Sequence, residues 1–345
     1  MVLLARIIIT TLSMMTFIPV LIIPTEAVEA AEAPLNYFLH SYGPAAKPTM
    51  YLGWMLAGLS IAICLILTLL LLTALIRKRP QIDRRAIGSE GKGIRWIYIG
   101  TGISTLVLFG LVIYSLMVVN KVAKPPQTTM LAFTVTGYGW WWKIEYEHDD
   151  PAQRFVTANE LHIPVGQPVR MKLKSADVIH AFWVPKLAGK TQMVPGLINQ
   201  QWIQADRSGI YTGQCVQFCG VGHAHMGLEV VAESAEDFER WLIAQRKIAT
   251  SFATSDEKLG YELFMEQCAG CHTIRGTDAQ GEHAPDLTHL NSRHRIAAGL
   301  LMNTPDHLMQ WVINAQKLKP GSRMPSFALS EKEASALASF LSTLD

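Results

Sequence analysis

The run Cys215-Val216-Gln217-Phe218-Cys219-Gly220-Val221-Gly222-His223-Ala224-His225-Met226 gathers two thiols, two imidazoles and a thioether into 12 positions. Soft sulfur beside imidazole selects copper, or zinc where the geometry is tetrahedral. A Cys215–Cys219 disulfide is the alternative, but it leaves the neighbouring histidine and methionine without a role. Upstream, Asp177-Val178-Ile179-His180 brings a further histidine to the end of a predicted strand.

A second constellation follows at Cys268-Ala269-Gly270-Cys271-His272, which matches C-x-x-C-H, the attachment pattern of c-type haem. Two thiols three residues apart can form thioethers to the two vinyl groups, and the adjacent imidazole then faces the iron. A redox dithiol needs a βαβ context, and a zinc half-site needs a second ligand pair nearby; the sequence offers neither. An electron-transfer haem takes a sixth ligand, and methionine raises its potential. Met324, held before a proline in Arg323-Met324-Pro325, is the candidate; Met302 and Met309 fall in helical stripes and read as core. The fifth cysteine, Cys64, lies in a long apolar run and reads as an inert buried thiol.

These groups sit on a chain of 345 residues that is 50% hydrophobic and only 17% charged, with a mean hydropathy of +0.20. Soluble domains carry about 25% charge, so part of this chain belongs in lipid, and intrinsic disorder is excluded. Residues 50–76 and 96–120 carry no charge, and each is long enough to cross a bilayer as a helix. The loop between them holds seven Lys/Arg (Arg77, Lys78, Arg79, Arg84, Arg85, Lys92, Arg95) against two acids, which places it in the cytoplasm and everything after Lys121 outside. With basic residues concentrated there and a net charge of only +2, a nucleic-acid partner has no support. Arg6, the apolar stretch that follows it and the small residues near Ala27 and Ala33 read as a signal peptide over residues 1–30.

Beyond Pro126, short alternating stretches such as Leu161/Ile163/Val165 and Val169/Met171/Leu173, punctuated by Pro164, Gly166 and Pro168, predict an all-β sandwich over residues 126–248 that ends in a helix near 236–247. Residues 253–345 read as an all-α domain. Thr254 with Glu257, and Ser330 with Glu333, form capping boxes, and Pro305 opens the helix between them.

The C-x-[EQ]-x-C-G-x-x-H-x-x-M loop with its upstream D-V-x-H resembles subunit II of the haem-copper cytochrome c oxidases, here with a fused C-terminal cytochrome c domain as in the caa-type branch. The resemblance implies a membrane-anchored multidomain chain: a transmembrane hairpin (residues 49–120), a cupredoxin-like sandwich and a class I cytochrome c domain. It implies a dinuclear copper A centre, with Cys215 and Cys219 bridging, His180 and His223 each on one copper, Met226 a weak ligand and Gln217 contributing its backbone carbonyl. Covalently bound haem c would be held by Cys268, Cys271, His272 and Met324, with the Pro285 carbonyl fixing the proximal imidazole. Trp140, in the aromatic run Tyr138-Gly139-Trp140-Trp141-Trp142, stands where the family takes up electrons; Trp141 and Trp142 read as packing against the membrane helices or a partner subunit.

The implied activity is that of the electron-input subunit of an oxidoreductase and translocase complex in the bacterial inner membrane. Electrons would pass from cytochrome c or an upstream respiratory complex through haem c and copper A to subunit I, with subunit III also present, and dioxygen would become water. A copper A nitric oxide reductase and a membrane-tethered copper-delivery protein are the rival readings. Three departures from the family pattern stand out. Gln217 and Gln192 replace frequent carboxylates, which removes support for a magnesium contact, and Gly93 stands where many members place a proton-path glutamate.

Overall fold

Two 30-residue helices come first among the described residues, α1 (Lys47–Ile76) and α2 (Ile94–Ala123). The computed structural model describes residues 40–78, 93–125, 131–249 and 252–345. The signal-peptide reading, most of the basic loop and Pro126 lie outside the described residues. Both helices start earlier than a charge-free criterion predicts, because Pro48 at the first turn of α1 opens the helix while Lys47 is still tolerated at its end. Their leucine, isoleucine and valine side chains are mostly exposed, and Cys64 is exposed among them rather than buried. No soluble fold leaves so long an apolar surface bare, and both helices are long and apolar enough to cross a membrane.

Ten strands then build two five-stranded sheets. The first runs β3 (Phe155–Ala158), β2 (Trp141–Tyr146), β1 (Ala132–Tyr138), β5 (Val169–Ser175), β8 (Asn199–Ile203). The second runs β4 (Glu160–Pro164), β10 (Gly227–Glu233), β9 (Gly209–Cys215), β6 (His180–Trp183), β7 (Thr191–Met193). Alternation in β2 buries Trp142 and Ile144 completely, and they face Leu161, Ile163 and Phe182 of the other sheet across one core. Trp142 therefore does not pack against the membrane helices; it stands edge-on to Phe182, with ring centres 5.8 Å apart. Trp141 stacks on Tyr138 at 4.8 Å.

Strand β4 is buried at every position. Its inward side chains are apolar, while Glu160 and His162 on its other face are covered by α3 (Ala235–Gln245), whose Trp241 stacks on His162 at 4.0 Å. Both faces are occupied, so strict alternation of polarity fails to report burial here.

The C-terminal domain contains α4 (Ser255–Gln267), a short β11 (Arg295–Ile296)/β12 (Leu301–Met302) hairpin, α5 (Pro305–Leu318) and α6 (Glu331–Leu341). The capping boxes at Thr254/Glu257 and Ser330/Glu333 are both formed. α4 crosses α6 at Gly260, where any Cβ would collide with the Ala336 carbonyl, and this close approach lets Phe264 meet Phe340 at 5.4 Å. Met302, on a strand rather than a helix, is exposed and not core.

The helical domain rests on the sandwich through backbone and side-chain bonds. Gly227 N–H donates to the Ala298 carbonyl at 2.9 Å, Glu160 accepts from His294 N–H at 2.8 Å, and Arg295 pairs with Glu229 at 3.0 Å. The described residues fall in one compact unit.

Candidate functional site

β9 ends at Cys215, and the chain then folds back through a tight loop and a 3-10 turn (His223–His225) before β10 departs at Gly227. That reversal brings the loop's donors together. Cys215 Sγ lies 3.7 Å from Cys219 Sγ, 3.9 Å from His180 Nδ1 and 3.2 Å from the Gln217 carbonyl. Cys219 Sγ lies 3.5 Å from His223 Nδ1 and 3.9 Å from Met226 Sδ. His180, Cys215, Cys219 and Met226 are buried. The cysteines are free thiols, their sulfurs unbonded at 3.7 Å.

Asp177 fixes the orientation of His180. Nε2–H of the imidazole donates to Asp177 Oδ1 at 2.8 Å, which turns Nδ1 toward the Cys215 sulfur. Burial works against the Asp177 carboxylate, but bonds from His180 and from the Val178 and Gly139 amides outweigh it and hold its pKa below the ordinary value.

The two thiols divide. Burial raises both, yet bonds from His180 and nearby backbone bring Cys215 below its ordinary value, whereas burial and the adjacent Cys215 charge push Cys219 up to about 12. A buried pair of this kind ionises fully only when a cation compensates the second thiolate. Two sulfurs, two imidazole nitrogens, a thioether and a carbonyl on a rigid loop can therefore hold soft metal ions.

Trp140 lies across this loop. Its indole N–H donates to the Cys219 carbonyl at 2.8 Å, and a Cβ at Gly222 would overlap the indole ring. Glycine is required there by contact, not by turn geometry.

The second site is an apolar cleft of about 1100 Å³, part of it open to solvent, lined by Phe264, Leu308 and Val312 and also by Cys268, His272 and Met324. Its apolar lining suits a porphyrin. Cys268 caps α4, and its carbonyl accepts from both Cys271 N–H and His272 N–H at 3.0 Å, so the five-residue motif is wound into one turn. His272 Nδ1–H donates to the Pro285 carbonyl at 2.7 Å, leaving Nε2 available to a metal; burial keeps this imidazole below its ordinary pKa and hence neutral. Cys271 is exposed and does not line the cleft.

Trp140, Trp141 and Lys319 also line this cleft. Lys319 escapes a sequence reading, since nothing in its neighbourhood distinguishes it from a solvated lysine. Gln192 is exposed on β7, and Gly93 has open space around its Cα.

Residues 148–234 match the cytochrome C oxidase subunit II periplasmic domain, and residues 257–345 match cytochrome c. Cytochrome c oxidase subunit 2 of Alkalihalophilus pseudofirmus is 29% identical over 79% of this chain and 80% of its own length. Quinol oxidase subunit 2 of Bacillus cereus is 30% identical over 59% of this chain and 71% of its own. The solved periplasmic domain of cytochrome oxidase subunit II from Bradyrhizobium japonicum is 27% identical, covering 35% of this chain and 96% of that one, with a TM-score of 0.33. With its sulfur-rich loop on a β-sandwich and a cytochrome c domain behind it, the chain belongs to the cytochrome c oxidase subunit II family.

Proposed function

We propose that this chain is the electron-input subunit of a terminal cytochrome c oxidase, conducting electrons from an extracytoplasmic donor to a large subunit that reduces dioxygen to water. The observation that carries this reading is a single side chain: Trp140 bonds the Cys219 carbonyl while lining the cleft that contains His272 and Met324. When bound, haem c and dinuclear copper A supply one-electron carriers, and the donor sets fit both.

Cys215, Cys219, His180, His223, Met226 and the Gln217 carbonyl would hold the copper centre. Asp177 holds His180 in one tautomer, and the β framework keeps the donors from rearranging with charge. Cys268 and Cys271 would carry the haem through thioethers, His272 and Met324 would ligate its iron, and the Pro285 carbonyl orients His272. The apolar walls of the cleft would limit water around the porphyrin. Helices α1 and α2 would anchor the chain in the bacterial inner membrane with both domains on the periplasmic side, beside subunits I and III; the donor is cytochrome c or an upstream respiratory complex.

Purification of the complex with metal and haem analysis tests this. Two coppers and one haem c per chain, a mixed-valence copper resonance and dioxygen consumption in preference to nitric oxide are expected. Zinc or no metal at the sulfur loop would overturn the reading, and nitric oxide turnover alone would move it to the reductase.

A further inference from the structure

Lys319 is 3% exposed, and no carboxylate among the described residues stands within 4.0 Å of its ammonium. A lysine buried without a counter-charge is costly, and burial pulls its pKa down to about 7, with Cys219 acting in the opposite direction. What Nζ does reach is two backbone carbonyls from different domains: Trp140 at 2.7 Å, in the sandwich, and Ala297 at 3.1 Å, in the cytochrome c domain. The residue caps the C-terminus of α5, where the helix dipole favours a cation, and it begins the five-residue descent to Met324.

The partner loop is built for this contact. Ala297 and Ala298 both hold left-handed backbone conformations, φ 54° and 60°, which a residue with a Cβ adopts only under strain. In that conformation the Ala297 carbonyl accepts from Lys319 and the Ala298 carbonyl accepts from Gly227 N–H of β10. On the other side of Lys319, a Cβ at Gly321 would stand 3.2 Å from the Trp140 ring, so the loop before Met324 lies directly on the indole.

We propose that Lys319 is a positioning residue that clamps Trp140 between the copper loop and the Met324 loop and so fixes the separation between the two electron carriers. Nζ binds the main chain of Trp140 while the indole N–H binds Cys219, so the residue is held at its backbone and at its ring. Without the clamp, the two domains keep their own cores but lose their registration at this point. The proposal rests on the electron-input reading for its purpose, but not for its structural content.

Hydrogen exchange on the whole purified complex, compared between wild type and Lys319→Met, tests it, together with haem-to-copper transfer after rapid haem reduction. In the variant, exchange at residues 139–143 and 295–299 rises about tenfold, as expected for loss of a charge-assisted bond, while amides of β5 and α6 stay protected. Transfer slows by at least a similar factor, about tenfold, with both optical spectra unchanged. Unchanged exchange at both segments overturns the clamp. So does a rise that spreads to α6 with loss of the methionine-ligated spectrum, which would make Lys319 a support of the haem loop only. Should Lys319→Met fail to incorporate haem, Lys319→Gln is measured against the same outcomes. A wild type in which haem and copper exchange no electrons defeats the electron-input reading while the exchange data still decide the clamp.

Discussion

Trp140 is bonded to Cys219 through the only polar atom of its side chain, at 2.8 Å, and its ring fills the space that the missing side chains of Gly220 and Gly222 leave open. The indole is thus a fixed part of the copper loop while its far edge belongs to the haem cleft.

Replacing Trp140 with phenylalanine keeps an aromatic ring but removes the bond to Cys219. A lost hydrogen bond of about 1 kcal/mol lets the ring sample other positions, so copper reduction should lag haem reduction by up to about tenfold more than in wild type. Stopped-flow reduction followed at haem and copper wavelengths checks this. Equal slowing of both centres would place the effect in donor docking instead.

Met324→His should leave the haem covalently attached, because Cys268 and Cys271 stand on a separate turn. The potential should fall, since methionine raises it relative to a second histidine. Redox titration with optical detection reads the change; an unaltered potential would show that Met324 is not the axial ligand. Its carbonyl is tied to Gln316 at 2.6 Å, which holds the loop in either variant.

Cys219→Ser should abolish the dinuclear copper resonance while haem content remains at one per chain. Cys219 is the harder thiol of the pair to ionise, and a serine hydroxyl there is harder still, so the second negative charge on which a bridged pair depends disappears. Copper analysis with paramagnetic resonance provides the measurement.

The candidate donors are legible in the sequence because each set is local: twelve residues for the copper loop and five for the haem motif, with only His180 and Met324 arriving from a distance. The helix starts were legible for the same reason, since a capping box spans four residues. The contact between Lys319 and Trp140 joins positions 179 residues apart and exists only after two domains dock. The burial of Trp142 was equally hidden, because an aromatic cluster signals packing without saying on which side of the sheet. Glu160 and His162 look like solvent-facing strand residues until α3 and the cytochrome c domain cover them.

That covered face carries a pH dependence. His162 donates through both ring nitrogens, at 2.9 Å to Glu160 and 3.0 Å to Glu233, so it is held as an imidazolium. Burial lowers its pKa, but bonds and charge from the two carboxylates outweigh that and leave it above the ordinary 6.5. The folded state therefore binds the proton more tightly than the unfolded chain. The resulting stability is fully present below about pH 6.5 and is lost as pH rises through the folded value. Glu160 acts in the opposite sense, its pKa lowered despite burial by His162 and His294, and its contribution fades only in acid, as pH falls through its folded value. His162→Phe keeps the stack on Trp241 but leaves buried Glu160 only its bonds from His294, so at pH 6 the sandwich should lose about 1–3 kcal/mol. Thermal denaturation of wild type and variant in detergent, followed by near-ultraviolet circular dichroism, should show the gap in midpoint narrowing steadily from pH 6 to pH 9. A gap that stays constant across that range would mean that His162 is neutral in the folded protein and that its two carboxylates are not both ionised.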